Sequence, residues 1–141
     1  SLGLSDKVKF LGFQRIDEVL PKVGALILSS ISEALPLVVL EGYAAGVPSI
    51  STDVGSCRQL IYGFGPDDEA LGAAGRVVGI ADPAALADAA VELIGQPDAW
   101  RAARTAGIAR VERYYSDAMM FGAYQKVYDQ ALGLPASGGP A

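Results

Sequence analysis

Short apolar runs alternate along this chain with stretches in which apolar residues recur at helical spacing, and the alternation predicts strands and helices in turn. Val8 to Phe13 (VKFLGF) reads as a first strand, Arg15 to Val23 as a short helix with Ile16, Val19, Leu20 and Val23 on one face, and Ala25 to Ser29 as a second strand. A helix from Pro36 to Ala45 follows. Proline suits its first turn, where the missing N–H has no intrahelical partner, and Gly46 ends it ahead of Pro48. Pro48 to Thr52 is a third strand, the turn Asp53 to Ser56 opens a helix through Ile61, and Arg76 to Ile80 is the last strand. Gly63 to Gly75, with its glycines and the acids Asp67, Asp68 and Glu69, reads as a mobile loop.

The remainder is helical. Asp82 caps a helix begun by Pro83, in which Leu86, Ala90, Leu93 and Ile94 share a face up to Gly95. A second helix runs from Pro97 to Tyr115, with Trp100, Ala103, Gly107 and Val111 spaced for packing. Ser116 caps a third, whose stripe of Met120, Phe121, Tyr124, Val127, Tyr128 and Leu132 serves core or interdomain packing. Leu2, Gly3 and Leu4 read as the end of a helix and its turn, and Pro135 to Ala141 as a disordered tail. Strands alternating with helices imply an α/β doubly wound domain, a parallel sheet with helices on both faces.

The composition narrows the function. A length of 141 residues suits one domain, and 51% hydrophobic residues with a net charge of −5 argue against both disorder and a basic nucleic-acid surface. No apolar run is long enough for a membrane span, and SLGLSDKVKF lacks the apolar core of a signal peptide. With 0 histidines and 1 cysteine, Cys57, the sequence offers neither a His/Cys metal cluster nor an internal disulfide, which suits a reducing, cytoplasmic setting.

The candidate chemistry gathers in Ser29 to Gly46 (SSISEALPLVVLEGYAAG), the turn and helix of a βαβ unit. Glu33 lies in the turn and Glu41 eight positions on, the only charge in a helix apolar on nearly every face and therefore expected to be buried. A buried carboxylate is costly unless hydrogen-bonded, so Glu41 calls either for an internal partner or for a ligand with hydroxyl groups. Ligands of open parallel sheets bind beyond the carboxyl ends of the strands, where helix N-termini offer free N–H groups to phosphates. Glu33 and the amides of Leu37 and Val38 would face that crevice.

Glu33 and Glu41 form an E-x7-E pair, and its setting S-E-x-x-P-L-x-x-x-E-x-x-A-A-G-V-P-x-x-x-T-D-V-G resembles the donor-binding half of retaining glycosyltransferases of family 4, which have the GT-B fold. The blocks SISEALPLVVLE, STDVGSCRQLI, ALGAAGRVVGIADPAAL and RVERYYS recur in the same order in the Pel exopolysaccharide glycosyltransferase group. The likeness covers residues 7–132, leaving 133–141 as tail.

The resemblance implies a Rossmann-like, nucleotide-sugar-binding domain of a hexosyltransferase, with a nucleotide diphosphate sugar, a UDP-sugar by expectation, as donor and no metal or other cofactor. Glu33, in the catalytic position, would face the transferred sugar. Glu41 would accept hydrogen bonds from the ribose hydroxyls, Leu35 would border the sugar, the Leu37 and Val38 amides would hold the diphosphate, and Gly12 and Phe13 would lie beside the base. For Phe13 a plain core role stands equally open. The family's upstream basic pair and its acceptor-binding N-terminal domain have no counterpart here, so the fragment alone is expected to be inactive. The polysaccharide acceptor would then be held by that other domain, beside a membrane export complex.

Several residues depart from the pattern. Many relatives read E-G-F-G-L where this chain has Glu33-Ala34-Leu35-Pro36-Leu37, so Pro36 removes a backbone donor and Ala34 narrows the turn. Gln59 replaces the usual glutamate of the V-G-x-x-x-E block. Cys57 is either a thiol near the site or a structural residue, and Arg58 meets a phosphate or solvent. The family's last helix often crosses back to the other domain, which would leave part of the aromatic stripe bare. The strands match the third to sixth of a sheet ordered 3-2-1-4-5-6, so Ala25 to Ser29 has one open edge. Either Val8 to Phe13 or a second copy of the chain would cover it, the homodimer being the expectation. Two other functions stay open, a nucleotide-sugar epimerase of related fold and a non-catalytic nucleotide-binding or interaction module.

Overall fold

The computed structural model describes residues 3–133; Leu2, the tail from Leu134 and the side chain of Met120 lie outside the described residues. Helix α1 (Ile16–Val19) continues into a 3-10 turn at Leu20–Lys22, and β1 (Leu26–Leu28), α2 (Leu37–Ala44), β2 (Ser49–Thr52) and α3 (Cys57–Tyr62) follow. Then come α4 (Pro66–Glu69), β3 (Gly75–Val78), α5 (Pro83–Gly95), α6 (Pro97–Tyr114) and α7 (Asp117–Ala131). The predicted caps are present: Asp82 accepts from the Ala85 amide and Ser116 from the Met119 amide.

The strands form one parallel sheet ordered β1-β2-β3, with Leu26 opposite Ser49 and Leu28 opposite Ser51, then Ser49 opposite Gly75 and Thr52 opposite Val78. All four residues of the central β2 are buried. Successive strand residues face opposite sides. Ile50 packs with Ala90 and Leu93 of α5 and Ala103 of α6 on one face. Toward the other face, where Val39 and Tyr43 of α2 pack with Leu60 and Ile61 of α3, Ser49 meets the Tyr43 hydroxyl at 2.8 Å. Helices thus cover both faces, as in a doubly wound α/β domain. The buried serines are satisfied, since Ser51 Oγ donates to the Thr52 carbonyl.

Helix α6 lies across the amino ends of the strands. Trp100 Nε1 donates to the Gly24 carbonyl at 2.6 Å, just before β1, the Arg104 side chain lies against Gly46 before β2, and Arg110 Nη2 donates to the Gly72 carbonyl at 2.9 Å before β3. Small residues let α6 approach α2. A Cβ at Gly107 would stand 2.9 Å from the Tyr43 ring.

Three expectations are corrected. Val8 to Phe13 forms no strand: Phe10 and Phe13 are 97% and 98% exposed, and the segment has no neighbouring strand to supply a ladder. It therefore leaves the outer edge of β1 uncovered. Gly63 to Gly75 is not merely a loop, because α4 sits within it and buried Asp68 ties it to Arg110 of α6. Helix α2 is buried only along Val39, Gly42 and Tyr43, while Leu37 is 63% exposed. The stripe on α7 does lie bare, with Phe121, Tyr124, Val127, Tyr128 and Leu132 all exposed. No helix among the described residues is long and apolar enough to cross a membrane.

Candidate functional site

The site is built where the chain leaves β1. The β1–β2 ladder ends with Leu28 opposite Ser51, and beyond it the Thr52 hydroxyl donates to the Ser30 carbonyl at 2.5 Å, with a longer approach of 3.4 Å to the Leu28 carbonyl. Ser30 Oγ in turn donates to Glu33 Oε1 at 2.8 Å. From the next unit, the Ser56 amide donates to the Ala34 carbonyl at 3.0 Å. Gly55 sits directly beneath, at φ +49°, where an added Cβ would fall 2.1 Å from the Glu33 carbonyl oxygen. Only glycine fits there, on both backbone and steric grounds. The Glu33 turn is thus fastened to β2 and to the start of α3.

Pro36, in an extended conformation, precedes α2 as its cap residue without a side-chain cap. The Val39 amide returns to the Pro36 carbonyl at 3.0 Å, and among the described residues the Leu37 and Val38 amides find no acceptor. These are the N–H groups that a helix start leaves free, at the positive end of its dipole.

Glu41 is exposed, contrary to the expected burial. The described residues cover α2 chiefly through α6 and β2, so the side bearing Leu37 and Glu41, one turn apart, faces water. A carboxylate in water needs no compensating partner, and the energetic case for an obligatory one falls away. What Glu41 offers is an accessible acceptor shared by two cavities. One, of about 570 Å³, also meets Leu35, Leu37, Tyr114, Tyr115 and Asp117. The other, of about 360 Å³, lies between α1 and α2 and meets Ile16, Asp17, Leu20 and Ala44.

The structure therefore brings together Leu35, Leu37 and Glu41, with Glu33 in the turn leading into the same helix. Val38 points its half-buried side chain into the core, so only its amide belongs to the site. Gly12 and Phe13 line neither of these cavities. Gly12 turns at φ +65°, and the near-complete exposure of Phe13 removes the core alternative. Cys57 is fully buried, which removes its option as an accessible thiol.

Arg58 stands exposed to solvent and pairs with Asp53, Nη2 to Oδ2 at 2.6 Å. Its hydrogen bonds hold the Asp53 carboxyl below the usual carboxylate range, and the carboxylate in turn raises Arg58. Within the site region, Ser30 and Thr52 were not singled out from the sequence. The S-x-x-E spacing of Ser30 and Glu33 is the signal that carries the first; Thr52 emerges only from the strand pairing.

Comparison with known proteins places this geometry. The family model described as glycosyl transferases group 1 matches residues 1–96. The chain is 28% identical over 133 residues to N-acetyl-alpha-D-glucosaminyl L-malate synthase of Bacillus anthracis, covering 94% of this chain and 33% of that protein. It is 27% identical over 131 residues to the lipopolysaccharide core biosynthesis mannosyltransferase LpsB of Rhizobium meliloti, covering 92% and 36%. A shorter match, 38% over 96 residues, is to the exopolysaccharide phosphotransferase SCO2592 of Streptomyces coelicolor, covering 67% of this chain and 9% of that one. Among solved structures, sucrose-phosphate synthase of Thermosynechococcus elongatus superposes with a TM-score of 0.77 at 25% identity, over 92% of this chain and 31% of that one. The chain spans about a third of the length of the synthase and mannosyltransferase relatives. With a family model matched over most of its length, and with its parallel sheet and helices superposing on those of sucrose-phosphate synthase, the chain belongs to the group 1 glycosyltransferases.

Proposed function

We propose that the chain is the donor-binding part of a retaining glycosyltransferase that moves a hexose from a nucleotide diphosphate sugar, a UDP-sugar by preference, to a growing exopolysaccharide in the cytoplasm. The observation that carries this reading is the start of α2, where two unpartnered amides stand between the Glu33 turn and exposed Glu41. In this reading the Leu37 and Val38 amides stabilise the diphosphate as it leaves, with charge developing where N–H groups already point. Glu41 accepts from the ribose hydroxyls, and Glu33 faces the transferred sugar. Leu35 borders the cavity beside them. Gly12 and Phe13 meet the base through an exposed segment that joins no strand of the sheet.

Likeness to a mannosyltransferase of lipopolysaccharide core biosynthesis and to an N-acetyl-alpha-D-glucosaminyl L-malate synthase supports sugar transfer, and likeness to an exopolysaccharide phosphotransferase supports a place in polysaccharide assembly. The ordered blocks shared with the Pel group support that branch. The acceptor and the remaining diphosphate contacts belong to parts of the parent outside this sequence, so the chain alone shows no turnover. The open edge of β1 and the bare face of α7 support self-association, which sedimentation at micromolar concentration tests.

Saturation-transfer NMR with UDP, UDP-glucose, UDP-N-acetylglucosamine and GDP-mannose tests the donor role. Signals on nucleotide and sugar that disappear in Glu41→Gln support it. A chain that is folded yet silent toward all four ligands overturns it in favour of an interaction module.

A further inference from the structure

The Glu33 carboxylate is held by a neighbour rather than left free in its turn. Ser30 Oγ donates to Oε1 at 2.8 Å, across a part-buried contact, and leaves Oε2 available. Ser30 is itself fixed by its backbone, because the Thr52 hydroxyl donates to the Ser30 carbonyl at 2.5 Å. Thr52 is buried at the carboxyl end of the central strand, so this last bond starts from the sheet itself. The contacts run Thr52 to Ser30 to Glu33, from the sheet to the carboxylate.

We propose that Ser30 is a positioning residue for Glu33, and that Thr52 positions Ser30 in turn. The inference rests on the donor-site reading given above. A glutamate on a turn has three side-chain torsions to fix, and a site works only when its reacting groups are held within a fraction of an ångström. The serine hydroxyl has one proton to donate. Giving it to Oε1 selects one orientation of the carboxylate and directs Oε2 outward, toward a sugar hydroxyl.

Two measurements on the whole chain test this. In the first, without ligand, the side-chain carboxyl carbon of Glu33 is followed by NMR. Its resonance shifts in Ser30→Ala, returns toward the parent position in Ser30→Thr, and shifts in Thr52→Val while remaining in place in Thr52→Ser. An unmoved resonance in Ser30→Ala overturns the proposal whether or not nucleotides bind. In the second, affinities for UDP and UDP-glucose are compared. Ser30→Ala leaves UDP binding within about twofold and lowers the ratio of nucleotide-sugar to nucleotide affinity about tenfold, the scale of one hydrogen bond to a charged group. A uniform loss for both ligands, accompanied by a lower melting temperature, assigns Ser30 a merely structural role and also overturns it. Failure of the donor reading looks different: the parent chain binds neither ligand while the Glu33 resonance still responds to Ser30.

Discussion

Arg110 and Asp68, 42 positions apart in the chain, meet in the interior with Nε 2.6 Å from Oδ1 and only 0% and 5% of their side chains exposed. The remaining donors are also used. Arg110 reaches the carbonyls of Ile61, Asp68 and Gly72, and Asp68 Oδ2 accepts from the Phe64 amide at 2.9 Å. Removing one partner strands the other charge in a dry site. Asp68→Ala is expected to cost about 3–5 kcal/mol in denaturant unfolding, the usual scale for breaking a buried pair. Replacing both residues by apolar ones should cost less than the sum of the single changes, and strict additivity in that cycle would show that the two act independently.

Gly107 carries a second prediction about packing. An added methyl group would stand 2.9 Å from Cδ1 of Tyr43, whose hydroxyl is bonded to Ser49, so Gly107→Ala must push the ring away from its partner. Overpacking of this kind costs about 1–3 kcal/mol. Equilibrium unfolding measures it, and an unchanged midpoint would mean that α6 moves off α2 without penalty.

The ribose role of Glu41 predicts that Glu41→Ala weakens nucleotide binding by about 1–3 kcal/mol with little change in stability, because the side chain is exposed. Calorimetric titration reads the affinity, and equal affinities remove Glu41 from the site. Among the described residues no group of three His, Cys, Asp or Glu side chains could hold a metal ion. The family resemblance implies a donor site without a metal ion, so chelator should leave the titration unmoved.

Asp53 and Arg58 make a pH-dependent prediction of modest size. Hydrogen bonds from Arg58 lower the folded-state pKa of Asp53, so the linked stability is present above the ordinary carboxylate pKa and is lost as pH falls through the lowered value. Both groups are exposed, and salt screens the pair. In Arg58→Gln the Asp53 carboxyl should titrate at its ordinary position by NMR. A midpoint that stays low would assign the shift to the backbone turn instead.

The parts of the fold that were legible in the sequence are those fixed by local pattern. The caps at Asp82 and Ser116, the stop at Gly46 and the apolar runs of the three strands are short-range signals, and each has its element in the structure. The misreadings involve partners far away in the chain. VKFLGF has the composition of a strand, but composition supplies no second strand to pair with. The glycines of Gly63 to Gly75 advertise freedom, while the residue that removes it, Arg110, lies in another helix. Glu41 is surrounded by apolar neighbours in sequence, yet burial depends on what packs over a helix, and only one side of α2 is covered. In the site, the E-x7-E spacing was readable, whereas the support of Glu33 by Ser30 and Thr52 required the strand register.

Helix α6, lying beneath all three strand entrances, divides the sheet into a clamped end and a loose end. Fluctuations that open a domain begin where the fewest cooperative contacts must break. Amide exchange should therefore be slowest through α6 and the first residues of β2, and faster in the Ser30 to Pro36 turn. That loose end is where the donor is proposed to sit. A nucleotide that bridged the turn and α2 would bind only the closed arrangement and draw the equilibrium toward it. The substrate would then add its own contacts to the hydrogen bonds from Thr52 and Ser56 that already hold the turn, tightening the end of the sheet that α6 does not reach.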